Sequence, residues 1–277
     1  MAFPNARRIL KSGITLSALK LLILQASVSR PRLKGLCRLL LSPFTRNDEV
    51  VVRYSCAGRS YKVCIRIDQA GCDLFSFYEL SCRSVYRLDP SFVPDCVVDG
   101  GGNIGLFTLR AGASYPAAKI VTCEPVPDNI AQIEKHLRLN QVRAQVLPVC
   151  LGGVHGTIPF YLRESLGSSF DPQKPYSGQI DVEVVTLPEL LAGLADERIL
   201  IKLDIEGMEL EVLESFVPVE ARAAVVVGEL HGHKANAGRL AQIFEASGWT
   251  LRFDEINDQD SIFSAWSPAA TPLLAAS

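Results

Sequence analysis

The 277-residue sequence lacks the patterns that mark zinc sites, transmembrane helices and repeat proteins. None of its eight cysteines forms a CxxC pair or a cysteine–histidine cluster with zinc spacing, so we expect a chain of reduced thiols. No apolar run is long enough to cross a membrane, and no internal repeat is visible. Hydrophobic residues make up 48% of the chain, which excludes intrinsic disorder.

Acidic residues are absent from residues 1–46, which carry nine basic ones. The formal net charge of the whole chain is only -2, so this basic leader precedes an acidic body, and nothing indicates a nucleic-acid partner. Its apolar stretch, 14–26, is broken by Lys20 and as a helix would rise about 20 Å, too short for the bilayer core. We expect an amphipathic helical leader that packs on the body, supports a homodimer or contacts a membrane surface weakly. A signal or transit peptide stays open, and the expected location is cytoplasmic.

The hydrophobic pattern changes near residue 95. Before it, 6–43 reads as helix, 50–67 as two strands around a turn at Ala57–Gly58, and 72–86 as a mixed helical segment. After it, short apolar runs alternate with helical stretches, which is typical of a parallel sheet covered on both faces. The predicted strands are 96–99, 120–124, 145–151, 199–204 and 224–231, with a closing pair at 249–254 and 261–266. The predicted helices are 105–113, 127–140, 207–215 and 237–247. We therefore predict an α-rich N-terminal extension, 1–90, and a Rossmann-like domain, 91–277.

A glycine-rich loop follows the first strand of this domain. Gly100, Gly102 and Gly105 satisfy GxGxxG between a strand and a helix, where the backbone can approach a ligand closely. Glu124 ends the next predicted strand, 19 residues after Gly105, where a carboxylate can accept both ribose hydroxyls. These features fit a dinucleotide and S-adenosylmethionine equally well.

Asp99, the residue just before the glycines, favours one of these two candidate ligands over the other. A carboxylate at this point suits the ammonium and sulfonium of S-adenosylmethionine and repels a pyrophosphate. A nicotinamide-dependent oxidoreductase remains the alternative enzyme. A non-catalytic, membrane-associated nucleotide-binding module, in which the basic leader provides the function, remains the alternative outside enzymes.

Several segments resemble the FkbM-type S-adenosylmethionine-dependent methyltransferases. They are VVDGGGNIGLFTL, CEPVPDN, LRLNQ, CLGGVHGTIPFYL, GSSF, IKLDIEGMELEVLESF and GELH, within about residues 70–255. The resemblance implies a class I methyltransferase fold, with a seven-stranded sheet whose last strand is antiparallel, and O-methylation of a small metabolite, sugar or other natural product. The family's usual Ala-Leu-Gly-Asp after the third strand is here Cys150-Leu151-Gly152-Gly153. The residues that we expect to bind the cofactor are Asp99, Gly101, Asn103, Gly105, Glu124, Pro125, Cys150, Leu151 and Asp204.

Two candidate catalytic residues end neighbouring predicted strands. Asp204 and His231 should both face the crevice at the carboxyl edge of the sheet, where ligands of open α/β folds bind. We predict His231 as general base, oriented by Glu229, and Asp204 as the group that positions acceptor or cofactor. The alternative is a divalent ion held by Asp204 with Glu229 or His231, although the sequence shows no dense carboxylate cluster. Three further expectations concern the surface: Glu209 and Glu211 on a solvated helix face, His155 and His233 as surface residues, and 165–177 as an irregular loop over the substrate.

Overall fold

A computed structural model describes residues 49–66, 69–80, 85–86, 88–162, 176–192, 198–256 and 259–270. The basic leader, with the expectations placed on residues 1–46, lies outside the described residues, as does nearly all of the predicted substrate loop. No helix among the described residues is long and apolar enough to cross a membrane.

The centre of the protein is a seven-stranded sheet. Its strands are β3 (Cys96–Gly100), β4 (Lys119–Cys123), β5 (Gln145–Leu147), β9 (Arg198–Leu203), β10 (Ala223–Leu230), β11 (Thr250–Ile256) and β12 (Ser261–Trp266). They lie side by side in the order β11-β12-β10-β9-β3-β4-β5, and β12 is antiparallel to both of its neighbours. The chain order reverses between β3 and β9, and the carboxyl ends of strands at such a switch point form a ligand crevice. The predicted seven-stranded sheet with an antiparallel last strand is confirmed.

The helices that cover the sheet are close to their predicted bounds. They are α2 (Leu106–Ser114), α3 (Pro127–Asn140), α5 (Glu209–Phe216) and α6 (His233–Ala246). Helix α1 (Ala70–Tyr78) belongs to the extension, and a short helix α4 (Leu187–Ala192) lies between α3 and α5 in the chain. Pro127 at the first turn of α3 and Gln141 in a left-handed conformation after it explain why this helix matches its prediction. Helix α6 begins four residues before its predicted start, because Gly232 adopts a left-handed turn directly after β10.

A second, three-stranded sheet was not predicted. It contains β6 (Val149–Leu151), β7 (Gly156–Leu162) and β8 (Gly178–Val185), in the order β6-β8-β7. The single predicted strand 145–151 is divided at Pro148 into β5 and β6, which belong to different sheets. Apolar and polar residues alternate along β8 from Ile180 to Val184. This period of two in the sequence could have revealed the strand.

The extension shares a hydrophobic core with the large domain. Strands β1 (Glu49–Cys56) and β2 (Arg59–Arg66) form the predicted hairpin around Ala57–Gly58. Their apolar face, with Leu74 of α1, packs in one buried cluster with residues of α2 and α3 such as Leu109 and Ile133. The described part of the extension is therefore packed directly on the helices that flank the glycine loop.

A buried histidine, which the sequence analysis did not single out, joins these parts. His136 of α3 is fully buried, and its Nε2 accepts a hydrogen bond from the amide of Cys64 in β2 at 2.9 Å. Its Nδ1 lies 2.7 Å from the carbonyl oxygen of Ile104 and donates to it, since a carbonyl can only accept. This pattern fixes the neutral imidazole, and burial lowers the pKa of His136. One side chain thus ties the hairpin to the glycine loop.

We expect His136→Gln to destabilise the protein more at pH 7.5 than at pH 5.5. The native state keeps the imidazole neutral, whereas the unfolded chain binds a proton below a pKa of about 6.5. The stability that His136 contributes is present above that pH and is lost as the pH falls, by at most about 1.4 kcal/mol between the two conditions. Urea unfolding of both proteins at both pH values measures the difference, and an equal cost at the two pH values would contradict it.

Candidate functional site

The glycine loop passes very close to the end of β9. The amides of Gly101 and Gly102 both donate to the carbonyl of Cys123 at 3.0 Å, which turns the chain sharply after β3. Gly101 has a φ of +76°, and a Cβ there would stand 1.9 Å from the carbonyl oxygen of Asp204. No side chain fits at this position, so glycine is required for the backbone of the loop and the end of β9 to meet.

Lys202 is a buried cation beneath this loop. Its Nζ donates to the carbonyls of Gly101 at 2.6 Å and Gly100 at 3.1 Å, and lies 3.4 Å from a carboxylate oxygen of Asp99. Burial lowers the pKa of Lys202, but the charges of Asp99 and Asp204 outweigh it and raise the pKa above its usual value. Asp99 is also fully buried and accepts a hydrogen bond from Thr108 at 2.7 Å. The predicted ligand-binding carboxylate therefore lies under the loop, and its charge is already balanced.

Asp204 is held at the cavity wall from two sides. Its Oδ2 accepts a hydrogen bond from the hydroxyl of Tyr86 at 2.9 Å and lies 3.8 Å from Nζ of Lys202. Tyr86 is itself buried, its ring packs edge-on against Phe107, and Lys202 stands over its face at 5.6 Å. Burial first, and then the charge of Asp204, raise the pKa of Tyr86 well above its usual value, so the phenol remains a donor. The position of Asp204 is thus fixed by residues from β9 and from the extension.

His231 is oriented by a buried carboxylate. Its Nδ1 lies 3.0 Å from Oε1 of Glu209, which also accepts the amides of Ile205 and Gly207 at 3.1 Å. The other ring nitrogen, Nε2, lies 3.7 Å from Oε2 of Glu206. Burial lowers the pKa of His231, but the hydrogen bond to Glu209 and the surrounding carboxylates raise it to about 10. In the ligand-free protein the imidazole is therefore protonated at neutral pH.

A cavity of about 300 Å³ opens at the switch point of the sheet. Its wall combines the glycine loop, the ends of β9 and β10, helix α1 and Tyr86. Of the predicted site residues, Gly101, Asn103, Asp204 and His231 line it together. Among the described residues, its wall holds the basic residues Lys202 and His231 and the acidic residues Glu79, Asp204, Glu206, Glu229 and Asp260. Burial and then the charge of Asp204 raise the pKa of Glu229 to about 8. Such a wall suits a ligand that carries positive charge.

Glu124 directly follows β4, as predicted, but it is turned toward the protein. Its carboxylate accepts the amides of Asn103 at 2.7 Å and Val126 at 3.0 Å, and only 4% of the residue is exposed. Burial raises the pKa of Glu124 to about 7, against the effect of these donors. The side chain of Asn103 donates to Ser76 of α1 at 3.0 Å, so the loop, β4 and the extension are joined at this point.

The remaining predicted cofactor residues do not line this cavity. Gly105 has a φ of +81° immediately before α2 and packs against Ile133. Pro125 follows Glu124 at the end of β4. The side chains of Cys150 and Leu151 are buried in the hydrophobic core, so only their backbone could meet a ligand.

Two expectations about glutamates are wrong. Glu209 is not on a solvated helix face: it is 1% exposed, because α5 turns it inward to the loop that follows β9. Glu209, rather than Glu229, therefore holds His231. Glu211 is half-buried, His155 is exposed as expected, and His233 is half-buried beside Ser261. The sequence analysis also missed Tyr86 in the site, since no periodic signal links it to Asp204, 118 residues away.

The strand order and the loop after β3 define a class I methyltransferase fold. Residues 99–256 match the family described as the methyltransferase FkbM domain, and the chain belongs to this family. The predicted family is confirmed, and S-adenosylmethionine is its cofactor, as expected.

Curated relatives are similar over about half of the chain. Methyltransferase sdnD of Sordaria araneosa is 33% identical over 152 residues, 43% of this chain and 59% of the relative. Methyltransferase 1 of Beauveria bassiana is 26% identical over 162 residues, 50% of this chain and 65% of the relative. The chain thus spans less than two thirds of the length of these two proteins. The 31-O-demethyl-FK506 methyltransferase FkbM of Streptomyces tacrolimicus is 25% identical over 203 residues, 61% of this chain and 76% of the relative.

Solved structures with a similar arrangement are distant in sequence. Methyltransferase FkbM from Methylobacillus flagellatus is 15% identical with a TM-score of 0.44, covering 72% of this chain and 54% of that one. The 16S rRNA N2 G1207 methyltransferase from T. thermophilus, solved with AdoMet and guanosine, is 14% identical with a TM-score of 0.47, covering 80% and 51%.

Lys202→Met should destabilise the protein by about 3–5 kcal/mol, because it leaves the buried carboxylate of Asp99 without its cation. The double variant Asp99→Asn/Lys202→Met should recover part of this loss, since the unpaired charge is then absent. Urea unfolding of the two single variants and the double variant measures the coupling. Arg239→Met, which breaks an exposed pair with Glu214, is the control and should change little. Strict additivity of the Asp99 and Lys202 changes would contradict the assigned pairing.

Proposed function

We propose that this protein is an S-adenosylmethionine-dependent O-methyltransferase that acts on a hydroxyl of a small metabolite, sugar or other natural product. The observation that carries the proposal is the convergence of the glycine loop, Asp204 and His231 on one carboxylate-rich cavity at the switch point of the sheet. The name of one curated relative, the 31-O-demethyl-FK506 methyltransferase, supports O-methylation of a small molecule, and the family does not favour the alternative nicotinamide-dependent oxidoreductase.

The residues of the cavity fit a sulfonium cofactor. Because Gly101 has no side chain, the loop packs directly against the backbone of Asp204. The space above the loop would then hold the methionine portion. The carboxylate of Asp204 would balance the positive charge of the cofactor, whereas a pyrophosphate would be repelled. Asp99 acts from beneath the loop, through Lys202, and does not contact the ligand. This support for a cationic ligand therefore comes from the cavity wall and no longer from Asp99.

The ribose and adenine would lie on the β4 side of the loop. We propose that Glu124 accepts a ribose hydroxyl through Oε2, which has a lone pair beyond the one that the amide of Asn103 uses. Oε1 already accepts the amide of Val126 and the side chain of Asn129. Asn103, Gly105 and Pro125 shape the backbone of this subsite. Cys150 and Leu151 would offer backbone groups to the adenine, because their side chains are in the core.

The acceptor would enter beside Asp204 and His231. When bound, S-adenosylmethionine supplies a methyl group on a positively charged sulfur: the acceptor oxygen bonds to the methyl carbon, the S–C electron pair stays on sulfur, and the hydroxyl proton is released. Tyr86 and Lys202 fix Asp204, so it can position the acceptor hydroxyl. Glu209 fixes His231 with Nε2 as the nitrogen left for the acceptor side. A general-base role, as predicted from the sequence, requires that this imidazole be neutral in the complex.

Glu124→Ala should weaken the binding of S-adenosylhomocysteine by about 1–3 kcal/mol, the cost of losing a charged hydrogen-bond partner. Isothermal titration calorimetry measures the affinity directly. Glu124→Gln, which keeps one acceptor oxygen, should lose less, and Glu134→Ala, a change at an exposed glutamate of α3, should lose nothing. Unchanged affinity in Glu124→Ala would remove Glu124 from the cofactor site.

His231→Ala should lower turnover by about 10²- to 10⁴-fold while the affinity for S-adenosylhomocysteine is preserved, since His231 serves the acceptor side. Transfer of labelled methyl groups to a panel of polyhydroxylated acceptors, read by mass spectrometry, measures the rate. His155→Ala, a change at an exposed histidine, is the matched control and should leave the rate unchanged. Full turnover by His231→Ala would contradict a role in the chemistry.

A further inference from the structure

Three potential metal ligands converge at the carboxyl ends of β9 and β10. One ligand atom from each of Asp204, Glu206 and His231 lies within 4.8 Å of the other two. Ligand atoms in neighbouring octahedral positions, with bonds of about 2.1 Å, stand about 3 Å apart. The three side chains therefore need to approach one another by up to about 2 Å to share an ion, which rotation about their side-chain torsions can provide.

The surroundings of His231 match those of a metal-binding histidine. Metal-bound imidazoles usually donate their other ring N–H to a carboxylate, which fixes the ring and its tautomer. Here Nδ1 is held by Glu209, whose carboxylate is 2% exposed and is anchored by two backbone amides. Nε2 is the nitrogen left for a ligand, and it lies on the side of Glu206. The support for this ring is thus built from buried groups, independently of the two carboxylates that would share the ion.

Asp204 is also oriented for this purpose. The contacts of its side chain in the described residues, with Tyr86 and Lys202, both reach Oδ2. Its second oxygen, Oδ1, stays available while the side chain is held in place. Asp204 and Glu206 place two carboxylates on the same side of the cavity, so a doubly charged cation would reduce the repulsion between them.

We propose that Asp204, Glu206 and His231 bind one divalent cation of the Mn²⁺ or Mg²⁺ class at the acceptor side of the cavity. Two carboxylate oxygens favour these hard ions, a single imidazole favours Mn²⁺ between them, and three positions would remain for water and an acceptor hydroxyl. A cation there lowers the pKa of the hydroxyl that it contacts, which eases release of the proton during methyl transfer. This role rests on the proposed methyltransferase function; the presence of the ion site does not.

One nitrogen cannot be both ligand and base. The metal proposal gives Nε2 of His231 the place of a ligand, whereas the prediction from the sequence makes the same atom a proton acceptor. The two assignments differ in an observable that needs no acceptor, namely the binding of the metal alone.

The test is a titration of the full chain with Mn²⁺, followed by electron paramagnetic resonance of the unbound ion. We expect loss of the free-ion signal at one Mn²⁺ per chain, and competition by Mg²⁺. Glu206→Gln should raise the Kd for Mn²⁺ at least about tenfold, and Glu209→Gln, which weakens the support of His231, about 10- to 100-fold. Glu229→Gln is the matched control: it removes a carboxylate from the same wall but not from the ligand set, so the Kd should change far less.

Two results would overturn the metal site. One is the absence of stoichiometric Mn²⁺ binding; the other is an equal loss of binding in Glu206→Gln and Glu229→Gln, which would indicate only a diffuse acidic cavity. Circular dichroism checks that each variant is folded, and Asp204→Asn replaces Glu206→Gln if that variant is not.

Calorimetry with S-adenosylhomocysteine on the same samples separates this proposal from the proposed function. Nucleoside binding without Mn²⁺ binding would leave the methyltransferase proposal standing and overturn the metal site. Retention of full methyl transfer in chelator would overturn the role of the ion in proton release. Mn²⁺ binding without nucleoside binding would leave the metal site standing and contradict the cofactor assignment.

Discussion

The buried ammonium of Lys202 is the interaction on which the geometry of the site depends. It lies below the point where β3 and β9 separate, and it binds the carbonyls of Gly100 and Gly101 while balancing Asp99 and Asp204. Without a cation at this point, two carboxylates and two carbonyl oxygens would face one another in a medium of low polarity. This charge therefore stabilises both the turn of the glycine loop and the position of Asp204, to which Tyr86 also contributes.

Lys202 contacts two aspartates that have different roles. Asp99 is fully buried beneath the loop, where it accepts a hydrogen bond from Thr108 and pairs with Lys202. Asp204 keeps part of its carboxylate at the cavity, since only one of its oxygens is engaged by Tyr86. Two carboxylates at the ends of adjacent strands thus have different tasks because one is below the loop and the other beside it.

The extension belongs to the architecture of the site. Helix α1 and Tyr86 form part of the cavity wall, and His136 and Asn103 connect the hairpin and α1 to the glycine loop. Acceptor selection in this protein would then depend on Phe75, Ser76, Glu79, Leu80 and Tyr86 as well as on the ends of the strands. The sheet supplies a common cofactor platform, and the segments packed over it shape the space in which an acceptor would lie.

The sequence by itself determined the order of the strands of the seven-stranded sheet, the helices that follow them and the glycine loop, because hydrophobic period and glycine spacing are local signals. It located Asp204 and His231 at one edge of the sheet, since parallel strands bring their carboxyl ends together. Only the tertiary structure decided the partners: Glu209 rather than Glu229 holds His231, Tyr86 holds Asp204, and Asp99 is buried under Lys202. These contacts depend on the rotation of a helix about its axis and on the path of a loop that is distant in sequence. Neither produces a local sequence pattern, because the residues in contact are far apart in the chain.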